Sequence, residues 1–173
     1  MQKNKTEDLV KKAKRKDPDA FSQLMQLYKK DMYRVALAIL MNDEDTADAI
    51  QDTMLTCWEK IHNLRQIEYF KTWMTRVLIN KCYDIRRKRE LTISLGEYEE
   101  PAEEDNYNLE LKEALSALND KYRIILTLFY SEGYHIDEIA RILKLPKSTV
   151  QTRLQRGREN LAKNYYRGNE RRK

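Results

Sequence analysis

The chain of 173 residues carries 33 Lys and Arg against 28 Asp and Glu, which gives a formal net charge of +5. Hydrophobic residues make up 41% and charged residues 35%, a balance that predicts a globular protein with a mild attraction to polyanions. No apolar run approaches the roughly 18 residues of a membrane span, and the polar N-terminus lacks a signal peptide's apolar stretch. Only 4 Gly and 3 Pro favour an all-helical protein with short connections.

The first predicted helices follow a polar start. Residues 1–16 are lysine-rich, and we expect a frayed lead into a helix. Asp17 is a candidate N-cap and Pro18 suits the first helical position. Apolar residues then keep helical spacing from Ala20 to Leu40, as one long helix or as two closely joined. A cap and turn at 42–45 begin the next helix, whose predicted inner face comprises Ala47, Ile50, Met54, Trp58 and Ile61.

A second face of that helix is acidic. It holds Asp48, Gln51, Asp52 and Leu55, and its two aspartates stand four residues apart, where like charges repel in an isolated helix. The residues by themselves leave two interpretations open: a solvated face, or a surface for a basic partner. Cys57 lies in the same helix and Cys82 in the following one, without metal-ligand spacing. We therefore expect buried thiols of a reduced, cytoplasmic protein.

After a loop at 63–68, the spacing predicts a helix from Tyr69 to Arg89 that ends in a basic run. Basic residues interleaved with aromatic rings are typical of single-strand binding, because cations meet phosphates and rings stack on bases. Alternatively, Trp73 and Tyr83 are core residues. The predicted inner face consists of Phe70, Met74, Val77, Leu78 and Ile85, and the polar stripe consists of Arg76, Asn80, Tyr83 and Arg87, with Trp73 beside it.

The helical pattern breaks between Leu91 and Asn108, where six of the nine residues at 97–105 are acidic. That composition is typical of a solvated, flexible linker. The predicted fold is therefore all-α, with two small helical domains joined by an acidic flexible linker. The predicted boundaries are a polar segment at 1–16, a first domain at 17–92, the linker at 93–108, a second domain at 109–165 and a basic tail at 166–173.

The second domain is predicted to contain a helix-turn-helix between Tyr134 and Leu161. Its second helix begins at or near Pro146, either with that proline in the first turn or with Ser148 as the cap. The preceding helix, which begins at 119–120 and ends at Gly133, would cover it. The predicted inner faces are Ile136, Ile139, Ala140 and Leu143 in the first helix and Val150, Leu154, Gly157 and Leu161 in the second.

The outer face of the second helix is polar and basic. From Arg141 to Arg158 there are six Lys and Arg and no Asp or Glu. Gln and Arg can bond base edges bidentately in the major groove, so this face favours duplex DNA binding. The alternative is a helical hairpin with a solvated basic face.

Four stretches, taken in order, resemble bacterial RNA polymerase sigma factors of the extracytoplasmic-function group. They are DAFSQLMQLYKKDMYRVALAIL, DTADAIQDTMLTCWEKI, FKTWMTRVLINKCYDIRRKR and LNDKYRIILTLFYSEGYHIDEIARILKLPKSTVQTRLQRGRENL. The resemblance spans nearly everything from Asp17 to Lys163, and the order of the motifs around an acidic linker is more specific than any one motif. The sequence departs from the family pattern at His135, Pro146 and Gly157, where a small hydroxyl residue, a Ser-like cap and an alanine are usual.

The resemblance implies a dissociable polymerase subunit that is not an enzyme and needs no cofactor, metal or small-molecule substrate. Its implied partners are core RNA polymerase, promoter DNA and an anti-sigma protein, which is often membrane-anchored. The face formed by Asp48, Gln51 and Asp52 would bind the clamp helices of the core enzyme. The implied minus-10 residues, for reading and melting, are Asn63, Gln66, Trp73, Arg76, Asn80, Tyr83, Arg86 and Arg87; the implied minus-35 residues are Ser148, Thr149, Gln151, Thr152, Gln155, Arg156 and Arg158.

Two other classes of protein compete with this interpretation. A helix-turn-helix regulator that binds duplex DNA by itself would leave the first domain without a task. A metal enzyme would have to use Asp43, Asp45, Asp48 and Asp52, of which Asp48 and Asp52 share a helix face, and no His or Cys joins them. The two histidines, His62 and His135, do not form a triad-like order with a nucleophile.

Overall fold

The computed structural model describes residues 2–94 and 109–170, and over these stretches the chain is helical without strands. It divides into two compact units, Met1–Tyr98 and Glu99–Lys173. The predicted all-α fold with two helical domains is confirmed. The predicted linker at 93–108 lies outside the described residues, except that Ile93 and Ser94 end a helix. The predicted domain boundaries stay predictions.

Over residues 2–94, the first unit contains four helices and two short 3-10 turns. Asp17 caps the second helix as predicted, because its carboxylate accepts the amides of Asp19 at 3.0 Å and Ala20 at 3.1 Å. That helix continues unbroken to Leu40, which settles the open choice in favour of one helix. The elements are α1 (Gln2–Lys14), α2 (Pro18–Leu40), α3 (Asp43–Lys60), the turns Ile61–Asn63 and Ile67–Tyr69, and α4 (Phe70–Ser94).

The N-terminal segment differs from the prediction of a frayed polar start. Residues 2–14 form α1, which packs on α2 and on both short turns. Leu9, Val10 and Ala13 bury a narrow apolar stripe, while the lysines around them remain outside it. Three apolar residues among so many lysines give a weak periodic signal, and the stripe becomes stable only against the rest of the unit.

The core of the first unit lies between α2, α3 and α4. In α4 the predicted inner residues Phe70, Met74 and Leu78 are buried, while Val77 and Ile85 are half-buried. The inner face of α3 was predicted wrongly in part: Ile50 and Ile61 are buried, but Ala47 is exposed and Met54 and Trp58 are half-buried. The face that α3 buries includes Thr46, Ala49, Ile50, Thr53 and Cys57.

Two threonines explain the error in α3. An apolar count leaves threonine out, yet Thr46 and Thr53 lie in the core. The Thr53 hydroxyl donates to the Ala49 carbonyl at 2.6 Å, which satisfies it within the helix and lets its methyl group pack. The buried face is therefore rotated from the one that the apolar residues alone indicate.

Two helix ends were also predicted too early. We expected the helix after the 63–68 loop to end at Arg89 and a tail to begin near Tyr165. Instead, α4 continues to Ser94 and the last helix continues to Glu170. Neither region contains a proline or a glycine cap at the expected end, so no backbone signal stops the helix there.

The second unit is a compact set of short helices packed on one long helix. Arg123 is buried, and its guanidinium donates to the carbonyl of Leu118 at 2.8 Å and the carboxylate of Asp120 at 3.0 Å. These charge-assisted bonds fasten Arg123 to the turn before its helix and to the first residue of that helix. The elements are α5 (Leu109–Ser116), α6 (Asp120–Leu126), a π-helical turn (Thr127–Ser131), α7 (Ile136–Leu143) and α8 (Lys147–Glu170).

The predicted helix-turn-helix consists of α7 and α8. The His135 amide donates to the Glu138 carboxylate at 2.8 Å and starts α7, and Lys144 ends it in the left-handed region at φ 54°. Helix α8 begins at Lys147, and the Pro146 carbonyl accepts the Val150 amide at 3.1 Å. The helix thus begins next to Pro146, as predicted, but Pro146 stands just before it rather than in its first turn, and Ser148 is not the cap.

The inner faces agree with the prediction for α8 and less closely for α7. Val150, Leu154 and Gly157 are buried in α8 and Leu161 is half-buried. In α7, Ile139 is buried and the other three predicted residues are half-buried, while Ile142 is buried although it was not predicted. Gly157 faces α6, where an added Cβ would approach Leu126 and Tyr122 to 3.3 Å. The glycine therefore permits close packing of the two helices, which offsets its lower helix propensity.

Candidate nucleic-acid and protein interfaces

The outer face of α8 follows from its buried face. Because Val150 and Leu154 point into the second unit, residues on the opposite side of the helix are directed outward. The Arg156 side chain forms no hydrogen bond or ion pair with another residue in the described ranges. Six of the seven residues predicted for the minus-35 element are exposed and Thr149 is half-buried; the six are Ser148, Gln151, Thr152, Gln155, Arg156 and Arg158.

The start of α8 is tied to the start of α7. Lys147 Nζ lies 2.7 Å from Asp137 Oδ1, and this hydrogen bond, with the charge of Lys147, lowers the pKa of the Asp137 carboxyl. Both side chains are exposed, so the pair contributes little to stability. Its position nevertheless links the two helices that form the motif.

Arg158 belongs to an aromatic cluster that the sequence does not reveal. Its Nε donates to the Tyr130 hydroxyl at 2.5 Å, and its guanidinium carbon lies 5.6 Å from the Phe129 ring centroid and 5.5 Å from that of Tyr130. The two rings contact each other edge to face at 5.0 Å. Phe129 and Tyr130 come from the π-helical turn, so the cluster joins residues about thirty positions apart and holds the arginine in one orientation.

The stripe predicted on α4 is exposed where it is charged and half-buried where it is aromatic. Arg76, Asn80 and Arg87 are exposed, and Arg87 forms an ion pair with Asp84. Tyr83 is half-buried, with the Arg86 guanidinium carbon 5.1 Å from its ring centroid.

The other predicted minus-10 residues lie at the start of α4 and in the loop before it. Trp73 is half-buried and contacts the Phe70 ring at 5.9 Å. Asn63 and Gln66 are exposed on either side of the buried Leu64. Tyr69, just after the loop, is a further exposed ring, 47% exposed, which the sequence does not reveal because Tyr69 stands next to the core residue Phe70.

The acidic face of α3 is outward. Asp48, Gln51 and Asp52 are exposed, and Leu55 next to them is 63% exposed, a large apolar side chain left in water. An exposed leucine among acidic residues is compatible with a surface that contacts another protein.

The acidic residues do not assemble into the site that a metal enzyme would need. Asp43 accepts the Tyr33 hydroxyl at 2.7 Å, and Asp45 pairs with Arg89 at 2.5 Å. Over residues 2–94 and 109–170, no group of three or more His, Cys, Asp or Glu is placed to hold a metal ion.

Burial raises the pKa of the Cys57 and Cys82 thiols to about 12, so both remain protonated at neutral pH. Within the same described ranges, no helix is long and apolar enough to cross a membrane.

These features define a DNA-binding protein of the helix-turn-helix class with a second helical unit. Comparison with known families makes the class specific. Residues 24–92 match the model for sigma-70 region 2, and residues 108–161 match the model for sigma-70 region 4. The two matches fall one in each compact unit.

Curated relatives agree with the family models. The chain is 31% identical over 134 residues to the RNA polymerase sigma factor SigV of Bacillus subtilis (strain 168), covering 75% of this chain and 81% of that protein. It is 29% identical over 174 residues to the ECF RNA polymerase sigma factor SigW of the same strain, covering 89% and 93%. The chain therefore belongs to the extracytoplasmic-function group of RNA polymerase sigma factors, and its function lies in promoter recognition and transcription initiation.

Solved structures show the same architecture. The sigma factor RpoE from Bartonella quintana, in complex with the anti-sigma factor NepR, is 25% identical with a TM-score of 0.71, covering 83% of this chain and 95% of that chain. CnrH, in complex with the cytosolic domain of CnrY, shares the fold at 22% identity with a TM-score of 0.69, covering 91% and 95%.

Proposed function

We propose that the chain divides its work in initiation among three surfaces. The acidic face of α3 binds core RNA polymerase, the 63–68 loop and the α4 stripe read and open the minus-10 element, and the outer face of α8 reads the minus-35 element. The protein supplies binding and strand separation without catalytic chemistry of its own, and it acts in the cytoplasm, where the polymerase is.

The minus-10 surface carries the proposal, because strand opening is the step that distinguishes an initiation factor from an ordinary DNA-binding protein. Separating the strands requires unstacking of bases, at a cost of about a few kcal/mol per base. Stacking on an aromatic ring returns roughly 1–3 kcal/mol per base. The supporting observation is that Arg76 and Asn80 are exposed one turn apart on α4, beside the half-buried ring of Trp73.

The chemistry of these residues suits a single strand. Asn80 offers an amide that can donate to and accept from a base edge, and Arg76 offers a planar cation for a base or a phosphate. Trp73 is anchored against Phe70 on one side, so its ring is held in place without disappearing into the core. Asn63 and Gln66 add two amides from the neighbouring loop.

The outer face of α8 suits duplex DNA. Gln151, Gln155 and Arg156 can each form two bonds to a base edge in the major groove, and Ser148 and Thr152 add hydroxyls. The Gln155 amide lies 3.3 Å from the Glu159 carboxylate in the free protein, a contact that it would exchange for a base. Arg158 lies to the side of this face and is suited to a phosphate.

An anti-sigma protein is the third proposed partner, besides core polymerase and promoter DNA. The support is the likeness to RpoE, whose structure was solved with the anti-sigma factor NepR. Such a partner would compete with polymerase by covering surfaces used in initiation.

The proposed function is tested on the opening step. Arg76→Ala and Asn80→Ala are expected to leave binding to core polymerase intact and to slow open-complex formation on duplex promoters, because these variants lose contacts to the separated strand. Permanganate reactivity of minus-10 thymines measures the opening. A template with a pre-opened bubble should restore much of the loss, since its strands need no separation.

Lys29→Ala is the matched control, because it removes one exposed cation from α2 without altering the α4 stripe. It should open promoters as the wild type does. Normal thymine reactivity on duplex DNA in both stripe variants would refute the minus-10 assignment.

A further inference from the structure

Helix α1 lies outside the two stretches that match the sigma-70 models, which begin at residue 24 and residue 108. It nevertheless contacts both 3-10 turns, Ile61–Asn63 and Ile67–Tyr69, on either side of the exposed part of the proposed minus-10 loop. Lys14 at the end of α1 and Lys16 just after it extend their side chains to the backbone of residues 58–64. Both lysines bond backbone carbonyls, and the apolar packing of Leu9, Val10 and Ala13 does not by itself require such bonds.

Lys14 bonds the backbone near the start of the loop. Its Nζ donates to the Leu64 carbonyl at 2.6 Å, a bond between groups fifty positions apart. The Leu64 side chain is buried, so this residue is held from both sides, through its side chain in the core and through its carbonyl at the lysine. Asn63 and Gln66, the two exposed amides of the loop, flank this anchor.

Lys16 holds the segment that leads into the loop. It lies just after α1 in the left-handed region at φ 65°. Its Nζ donates to the Trp58 carbonyl at 2.5 Å and lies 4.8 Å from the centroid of the Trp58 ring. Trp58 lies in the last turn of α3, where carbonyls lack helical partners and a cation is favoured by the helix dipole.

We propose that Lys14 and Lys16 are positioning residues for minus-10 recognition, holding the backbone of residues 58–64 so that Asn63 and Gln66 are presented to the separated strand. The inference rests on the proposed function of that loop. Ordering two lysine side chains costs conformational entropy, and their charge-assisted bonds offset it. A loop already held in its binding conformation loses less entropy when DNA binds, which raises affinity and base discrimination.

The test uses the full chain assembled with core polymerase. The probes are single-stranded oligonucleotides that the wild-type holoenzyme selects from a pool randomised over the minus-10 region. Lys14→Met removes the ammonium and keeps the apolar stem, and Lys16→Gly removes the ammonium while suiting the left-handed backbone. Each is expected to lower affinity for the selected probe between about threefold and tenfold, and to lower its preference over the unselected pool.

Two further variants separate positioning from charge. Lys11→Met is the matched control, because it removes one exposed cation from α1 without touching the loop, and it should bind as the wild type does. Lys14→Arg can still donate to the Leu64 carbonyl and should restore most of the affinity.

Salt dependence tests the same point. The slope of log affinity against log salt should not change in Lys14→Met if Lys14 bonds a carbonyl. A decrease of about 0.7 in the magnitude of that slope is the value for one lost phosphate contact on a single strand. Such a decrease would overturn the inference in favour of direct DNA contact.

Asn63→Ala and Gln66→Ala distinguish failure of this inference from failure of the proposed function. If these two variants lose affinity while Lys14→Met and Lys16→Gly keep wild-type binding, the loop reads DNA and the inference is wrong. If none of the four loses affinity, the loop assignment fails and the inference fails with it. Circular dichroism and thermal unfolding must show that each variant folds, and Lys16→Gly keeps the test available should Lys14→Met not fold.

Discussion

At the scale of single residues, Arg158 is held by the hydroxyl and ring of Tyr130, which is itself 60% exposed. Tyr130→Phe removes the hydrogen bond and keeps the ring contact. If Arg158 contacts a phosphate, Tyr130→Phe should weaken binding of holoenzyme to duplex promoters about twofold to fivefold, because the guanidinium loses one restraint. Arg158→Ala should weaken it further and reduce the salt slope by about 0.9. Filter binding across a salt series measures both, and wild-type values in both variants would leave Arg158 with a structural role only.

The two cysteines lead to a pH prediction. Burial raises the pKa of both thiols to about 12, whereas in the unfolded chain they ionise near 8.5. The unfolded state therefore loses protons first as pH rises, so the stability that the buried thiols contribute is complete below about pH 8.5 and declines toward pH 12. Denaturant unfolding at pH 7 and pH 10 should show a smaller alkaline loss in the Cys57→Ala, Cys82→Ala double variant than in the wild type. An equal loss of stability between pH 7 and pH 10 in both proteins would contradict the raised pKa of the two thiols.

At the scale of secondary-structure elements, α3 has one buried face and one exposed acidic face. Thr53 and Cys57 lie in the core, while Asp48 and Asp52 are exposed on another side. Asp48→Lys with Asp52→Lys replaces two like charges by two like charges, so repulsion within the helix is not relieved and stability should change little. Affinity for core polymerase should fall if basic residues of the polymerase meet this face.

A pull-down with purified core enzyme measures that effect, and thermal unfolding monitors the fold. Glu7→Lys with Glu90→Lys makes the same charge change on α1 and α4 and should retain binding. Retention of core enzyme by the α3 double variant at wild-type strength would remove the acidic face from the polymerase interface.

At the scale of the whole molecule, each unit has a core of its own. The first buries Leu24 and Phe70 among α2, α3 and α4, and the second buries Ile125 and Leu128 beneath α7 and α8. Fragments 1–98 and 99–173 should therefore both fold when produced separately. The second is the smaller and should melt at the lower temperature, since small domains bury a smaller fraction of their surface. Circular dichroism melts of the fragments and the full chain test this, and a single full-chain transition above both would show that the units stabilise each other.

Features that depend on a few neighbouring residues could be predicted from the sequence. The Asp17 cap with Pro18 specifies the start of α2 through bonds that span only two and three positions. The outward direction of Arg156 follows from the helical period once Val150 and Leu154 are taken as core. The order of motifs, each local, was enough to indicate the family.

Which weak or mixed apolar patterns are buried depends instead on how the helices pack together. Thr46 and Thr53 enter the core because α2 and α4 cover them, and Leu9 and Val10 make α1 a packed helix because the rest of the unit receives them. The contacts of Lys14 with Leu64 and of Arg158 with Tyr130 join residues far apart in the chain. Periodicity describes one helix at a time, whereas burial and long side-chain bonds depend on the partner that folding brings to it.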